Sequence, residues 1–217
     1  MFNRLRHYAK RYGYIHAIAS FIGRKSDRFW QFVGPIVTSG YLKRWKADSS
    51  KRILNLGGGS VLDERWLTAD ITPRADVWAD VTRPLPFNDS SVDIVYLEEV
   101  IEHVSQQDAE RMLSEIHRIL KSGGSVRITT PSLDYFVSIK LDRSGADMKI
   151  NNIFYLHGHR RIYSESSLKR LLEEAGFRMI RQSYYRDPNS PIGDYDSHHE
   201  RFPEYPAESS QYWDAVR

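Results

Sequence analysis

The segment KRILNLGGGS, residues 51–60, limits the possible folds more than any other part of this 217-residue chain. A short β-like run, RILNL at 52–56, leads directly into three consecutive glycines. Glycine lets the backbone turn sharply at a strand end and lets a ligand approach the main chain closely. Similar runs follow at WLTAD (66–70), DVWAD (76–80), VDIVYL (92–97) and SVRITTP (125–131), with FRMIRQSYY and SQYWDAV as late strands. Between them, DAERMLSEIHRILK (108–121) places Met112, Leu113, Ile116, Ile119 and Leu120 at helical spacing, and SGG breaks it. ESSLKRLLEEAG (165–176) is a second helix, ending in glycine. Strands alternating with helices predict a doubly wound α/β fold, a mostly parallel sheet with helices on both faces. Residues 137–158 show little periodicity and are expected to form a loop or short helix covering a site.

The length suits one sizeable α/β core. With 41% hydrophobic and 27% charged residues, the composition is that of a soluble globular protein. No apolar run reaches the roughly 18 residues of a transmembrane helix, and no secretory leader is expected. Cysteine is absent, which excludes disulfides and thiolate metal sites. The charge is uneven. Residues 1–47 carry ten basic side chains against Asp27 alone, a net +9, so the rest holds −6 of the total +3. Phe2, Leu5, Tyr8, Tyr12, Ile15, Ala19 and Ile22 form one face of an amphipathic helix that Gly23 ends. A second helix from Asp27 to Lys46 is expected to be interrupted at Gly34–Pro35. The expected division is a basic helical extension over 1–48 and a body over 49–217. Either the extension docks its apolar face on the body, or its basic face meets an anionic membrane surface or a partner protein. A cytoplasmic location is expected, with peripheral membrane attachment through the extension as a further option.

Within the body, Asp70 closes the second strand, where a carboxylate can accept both hydroxyls of a ribose. Asp80 closes the third and can accept from the exocyclic amine of a base. The spacing departs from a dinucleotide fingerprint: 13 positions separate Gly57 from Asp70, and Val61 stands where a third glycine would be. This argues against NAD or FAD and for a nucleoside-type cofactor without phosphates.

The stretch ILNLGGGS…WLTADI…DVWADVTRPLPFNDSSVDIVYLEEVIEHV…MLSEIHRILKSGGSVRITTPSLDYF resembles class I S-adenosylmethionine-dependent methyltransferases of the type 11-like kind. It is most similar to a bacterial group linked to glycan and surface-sugar biosynthesis. The likeness continues through GHRRIYSESSLKRLLEEAGF and covers residues 51–217. It implies a Rossmann-like, seven-stranded, mostly parallel sheet with a shortened first helix. It further implies that Gly57 and Gly59, with Gly58 between them in the cofactor set, pass the methionine portion of S-adenosylmethionine, that Asp70 holds its ribose, and that Asp80 and Val81 face its adenine. Asn55 and Glu98 join the cofactor set. Asn55 replaces a first-strand acid, and Gly58 stands where the family often has cysteine. The implied acceptor is a sugar, a glycan or another small molecule bearing a hydroxyl or similar group.

LEEVIEHV, residues 97–104, lies at the end of the fourth strand. Glu99, Glu102 and His103 form E-x-x-E-H, and on a helical turn such positions share one face. A similar pattern binds a divalent metal in small-RNA 2′-O-methyltransferases, where a downstream histidine completes the set; His159 matches that place. Three readings stand together. Glu99, Glu102, His103 and His159 hold Mg²⁺ or Mn²⁺. Alternatively Glu99, His103 or His159 works as a metal-free acid or base. Otherwise the turn is structural. His198 and His199 are weaker candidates. Two further functions are weighed, a non-catalytic binding module with this fold and a nucleic-acid methyltransferase. The acidic body disfavours the second.

Overall fold

The computed structural model describes residues 27–47, 53–59, 65–72, 74–138, 151, 154, 157–203 and 205–217. The expected leader helix over 2–22 and most of 137–158 lie outside these residues. The chain forms two compact units, 1–87 and 88–217.

In the first unit, helix α1 (Asp27–Ala47) runs without interruption, with Pro35 inside it. This corrects the expected break at Gly34–Pro35, and the reason is tertiary packing. A Cβ on Gly34 would stand 2.5 Å from Trp78 Cγ, so the bare backbone lets the helix lie against that indole. One turn on, Thr38 Oγ1 accepts the Trp78 N–H at 3.2 Å and donates to the Gly34 carbonyl at 2.8 Å. Trp30 is buried on the same stripe, and Pro35 stays exposed. Contacts to one neighbour thus override local punctuation. Strands β1 (Ile53–Leu56), β2 (Leu67–Asp70) and β3 (Val77–Trp78) pair in parallel, in the order β3-β2-β1. The expected five-residue third strand shrinks to two. The Asp76 carboxylate accepts the Thr68 N–H at 2.8 Å, so a side chain substitutes there for the ladder. The shortened first helix would fall at 57–66, of which 60–64 lie outside the described residues.

The second unit contains β4 (Val92–Glu98), α2 (Gln106–Ile119), β5 (Leu120–Pro131), α3 (Leu133–Ser138), α4 (Glu165–Glu174), β6 (Arg178–Ser183), α5 (His198–Arg201) and β7 (Ser210–Val216). β4 and β5 are parallel, β7 is antiparallel to both β5 and β6, and the order is β4-β5-β7-β6. Ser105 caps α2 by accepting the Asp108 N–H, and Ala109, Met112, Leu113, Ile116 and Ile119 bury its apolar stripe. Ser164 caps α4 in the same way, and Gly176, at φ +91°, turns the chain out of it. The helix stops as expected, at Ile119 rather than at SGG itself, and β5 begins already at Leu120 and runs through the glycines, not only from Ser125. A Cβ on Gly124 would meet the carbonyls of Lys121 and Asp93 at 2.9 and 3.0 Å, so the glycine permits a close backbone approach where the ladder slips.

Arg127 on β5 has no exposed surface. Its guanidinium donates to Asp196 at 2.6 Å, Asp214 at 3.2 Å, Ser183 Oγ at 2.9 Å and the Tyr184 carbonyl at 2.9 Å. Beside it, Asp187 is buried and accepts from Arg181, from Ser183 Oγ at 2.9 Å and from the Asn189 N–H at 2.8 Å. Burial pushes Asp187 up, but these donors outweigh it and hold the carboxyl at about 2, against 3.8 for an ordinary aspartate. A depressed carboxyl contributes stability that is present above pH 3.8 and fades as pH falls toward about 2. In urea titrations across that window the protein is expected to lose stability, with a shallower fall in Asp187→Asn. An identical slope in the two proteins would show that Asp187 is not the group responsible.

Candidate active site

In the first unit, the carboxyl ends of β1 and β2 are tied by one side chain. Gly57 and Gly59 take φ of +79° and +61°, a region that side chains disfavour. The Gly57 N–H bonds the Ala69 carbonyl at 2.7 Å, continuing the ladder. Asp70 Oδ2 then accepts the Gly59 N–H at 2.9 Å, and Oδ1 accepts the Thr72 N–H at 2.7 Å. Burial raises the Asp70 pKa, against the pull of these N–H donors. Each oxygen retains a lone pair for a further donor. A Cβ on Gly59 would meet nothing within 4 Å, so the turn is open on that side.

Gly58 has a specific steric role. A Cβ there would lie 2.4 Å from Asn55 Nδ2 and 2.6 Å from its Cγ. Asn55 is buried, and its Oδ1 has no hydrogen-bond partner among the described residues. An orphaned acceptor beneath a glycine turn fits a ligand bearing a donor. Asp80 follows β3; its Oδ1 accepts the N–H and hydroxyl of Thr82 at 2.9 and 2.7 Å, and Oδ2 faces Arg83 at 3.3 Å. Val81, next in sequence, is half-buried.

In the second unit, Glu98 ends β4. Its Oε2 accepts from Arg201 at 2.9 Å, while Oε1 is buried with no partner among the described residues. The next residue departs from the helical-face expectation. Glu99 has φ +53°, so the backbone reverses before a single 3₁₀ turn over Ile101–His103. That reversal sends Glu99 to His198, whose Nε2 lies 3.1 Å from Glu99 Oε1. His198 Nδ1 lies 3.0 Å from the Tyr212 hydroxyl. Tyr212, His198 and Glu99 thus form a hydrogen-bonded chain: with Glu99 ionised, Nε2–H donates to its carboxylate and the phenol donates to Nδ1; with Glu99 protonated, the chain runs the other way. Burial lowers the His198 pKa, against the pull of the Glu98 and Asp196 carboxylates. Burial pushes Glu99 up to about 7, with Glu102 opposing and Glu98 adding to the rise.

Glu102 is wholly buried. Its Oε2 accepts from Thr130 at 2.8 Å, and Oε1 stands 3.9 Å from His103 Nε2 and 4.0 Å from His159 Nε2 with no hydrogen bond. Burial holds this carboxyl well above the usual range. His159, distant in sequence, arrives because the Glu102 carbonyl accepts the N–H groups of Arg160 and Arg161 at 2.8 and 3.2 Å. Burial, then the charges of His103 and His157, lower His159 to about 4. The ligating atoms of Glu102, His103 and His159 fall within 4.8 Å of one another. Glu99 is not one of this trio, although its carboxyl interacts with that of Glu102.

Glu99 opens onto a pocket lined also by Pro131, Phe136, His159, His198, Phe202 and Tyr205. With 19% of its side chain exposed, it is half-buried and reachable. His199 lies elsewhere, with its ring against Tyr185. Thr130, Arg201 and Tyr212 escaped the sequence reading. Arg201 had a faint signal, three residues after His198 on one short helix; Tyr212 and Thr130 had none, since strand pairing alone brings them in.

A family model described as a methyltransferase domain matches residues 29–182, and the chain belongs to that family. A Mycolicibacterium smegmatis protein named a "probable S-adenosylmethionine-dependent methyltransferase" is 34% identical over 105 residues, 48% of this chain and 36% of that relative. A similarly named Mycobacterium tuberculosis protein is 33% identical over 105 residues, 48% of this chain and 34% of its own length. The matched stretch is therefore about a third of these relatives' length. Among solved structures, a SAM dependent methyltransferase from Archaeoglobus fulgidus has a TM-score of 0.54 at 16% identity, over 88% of this chain and 100% of that one. Haemonchus contortus phosphoethanolamine N-methyltransferase 2, solved with S-adenosyl-L-methionine, has 0.52 at 15% identity, over 98% and 60%. These likenesses show the fold, a Rossmann-like, seven-stranded, mostly parallel α/β sheet.

Gly58→Ala is expected to displace Asn55 and destabilise the protein by about 1–3 kcal/mol, the usual result of forcing a group into filled space. Chemical denaturation measures this. A neutral substitution would show that Asn55 can move aside.

Proposed function

We propose that this chain transfers a methyl group from S-adenosylmethionine to a hydroxyl or similar acceptor on a small molecule, with a sugar or glycan as the expected class. The observation that carries this is Glu99, a carboxylate oriented by His198 at the mouth of an aromatic-lined pocket. The family and the fold support the cofactor, and the glycine turn fits it. Asp70 offers two lone pairs to a pair of ribose hydroxyls, and Asn55 Oδ1 and Glu98 Oε1 offer buried acceptors for donors of the methionine portion. Asp80 and Val81 face the adenine in this reading. When bound, the cofactor supplies an electrophilic methyl group on a sulfonium.

The chain's own groups do the rest. A hydroxyl is a poor nucleophile until its proton is drawn away, and Glu99 is placed to accept it. A base near 7 suits that work better than an ordinary carboxylate. The Tyr212–His198 chain holds the carboxylate in one orientation. Phe136, Pro131 and Phe202 exclude water and position the acceptor.

One observation favours a second reading. Glu102 Oε1 sits unbonded between two imidazole nitrogens, an arrangement suited to a divalent cation such as Mg²⁺ or Mn²⁺ held by Glu102, His103 and His159. Such an ion would supply Lewis-acid polarisation of the acceptor oxygen.

Asp70→Ala is expected to weaken S-adenosylmethionine binding by about 2–3 kcal/mol, from the loss of charge-assisted bonds. Calorimetry reads this directly, and an unchanged dissociation constant would remove Asp70 from the ribose role. Glu99→Gln is expected to slow transfer of labelled methyl to a glycan and small-molecule panel by about 10²–10⁴-fold with cofactor affinity kept. Activity that survives exhaustive chelation supports the base alone; activity that is lost and restored by Mn²⁺ supports the cation.

A further inference from the structure

The outward face of α1 departs from what a docked surface helix requires. Trp30, Gly34 and Thr38 form the stripe that packs inward. At 3.6 residues per turn, Phe32 and Ile36 lie roughly 160° from that stripe. They are 78% and 74% exposed, among the most exposed large apolar side chains of the described residues. Lys43 points out on the same side, two turns along. From residue 28 to 47 the helix has no acidic residue, while Arg28, Lys43, Arg44 and Lys46 lie toward its two ends. The charge bias extends to the whole unit. Residues 1–87 hold fifteen basic against seven acidic residues, a net +8, so residues 88–217 carry −5 of the total +3.

We infer that α1 is an interfacial helix, docking the first unit on an anionic lipid surface with Phe32 and Ile36 inserted at the headgroup boundary. Two side chains one turn apart are too little apolar area for a stable protein interface, which needs about 800 Å² per partner. They are sufficient as wedges when basic residues supply the attraction, and beyond its first residue, Asp27, the helix carries no acid to repel phosphate headgroups. The exposed residues near them, Pro35, Ser39 and Gly40, are small and leave the apolar pair prominent. No helix among the described residues is long and apolar enough to cross a membrane. This inference does not depend on the methyltransferase reading.

The test uses the full chain and vesicles of phosphatidylcholine with and without phosphatidylglycerol. Co-sedimentation is expected only with phosphatidylglycerol present and is expected to weaken as salt rises. Phe32→Ser with Ile36→Ser is expected to reduce partitioning by ~10-fold or more, from two lost apolar insertions, with an unchanged thermal melt. Because the chain has no cysteine, Phe32→Cys can carry a single environment-sensitive dye, expected to shift to the blue on anionic vesicles. Wild-type partitioning in the double variant, or a dye that stays in water, overturns the inference. So does equal binding to neutral vesicles. A vesicle-free dimer that the double variant breaks up also overturns it, by showing that a second copy covers this face.

Discussion

A guanidinium without solvent must have its charge answered on the spot, and Arg127 is such a group. Asp196 and Asp214 neutralise it, Ser183 and the Tyr184 carbonyl take further donors, and the Tyr212 ring lies 5.1 Å beneath it. These partners come from β6, β7 and the connection between them. The same Asp196 that answers Arg127 through Oδ2 accepts the His198 N–H through Oδ1, at 3.1 Å. Tyr212 bonds the His198 ring. Both immediate supports of His198 therefore rest on one buried charge, and through His198 so does Glu99. Removing the arginine would leave two buried carboxylates opposed, which explains why a costly ion network is retained in the unit.

The first unit uses a carboxylate in a comparable way. Asp70 ties the glycine turn to the end of β2 with one oxygen and its own following turn with the other. The lone pairs left over are then held in fixed directions. The proposed ribose role of Asp70 would bring ligand donors into the same network, which would link binding and local stability there.

Much of this was readable from residues. The strand runs at 53–56, 67–70, 92–98 and 210–216 and the helices at 106–119 and 165–174 carry their own periodicity and caps. The glycine turn after β1 and the position of Asp70 at the end of β2 were legible because the strands carry their own pattern. What escaped depended on distant partners. Gly34–Pro35 reads as a break unless Trp78 is known to lie against it. Ser122–Gly124 reads as a helix stop, and that β5 already runs through it depends on the close approach of Asp93. At the site, Glu102, His103 and His159 come together as the motif suggested. The placement of Glu99 depends on a backbone reversal that no side-chain spacing encodes, and Tyr212 is supplied by strand pairing alone.

The left-handed backbone at Glu99 restricts which residues can evolve there. A β-branched side chain is disfavoured by conformation before its chemistry matters, while glycine, asparagine and aspartate adopt φ +53° more readily. Glycine would relax the turn and lose the functional group, and aspartate would keep a carboxylate on a shorter stem, further from His198. Position 99 therefore faces two independent filters, one on backbone shape and one on chemistry, and few amino acids pass both. Variation in a family built this way would concentrate in the residues that surround the pocket, such as Phe136 and Phe202, which face no backbone filter and can change with the shape of the acceptor.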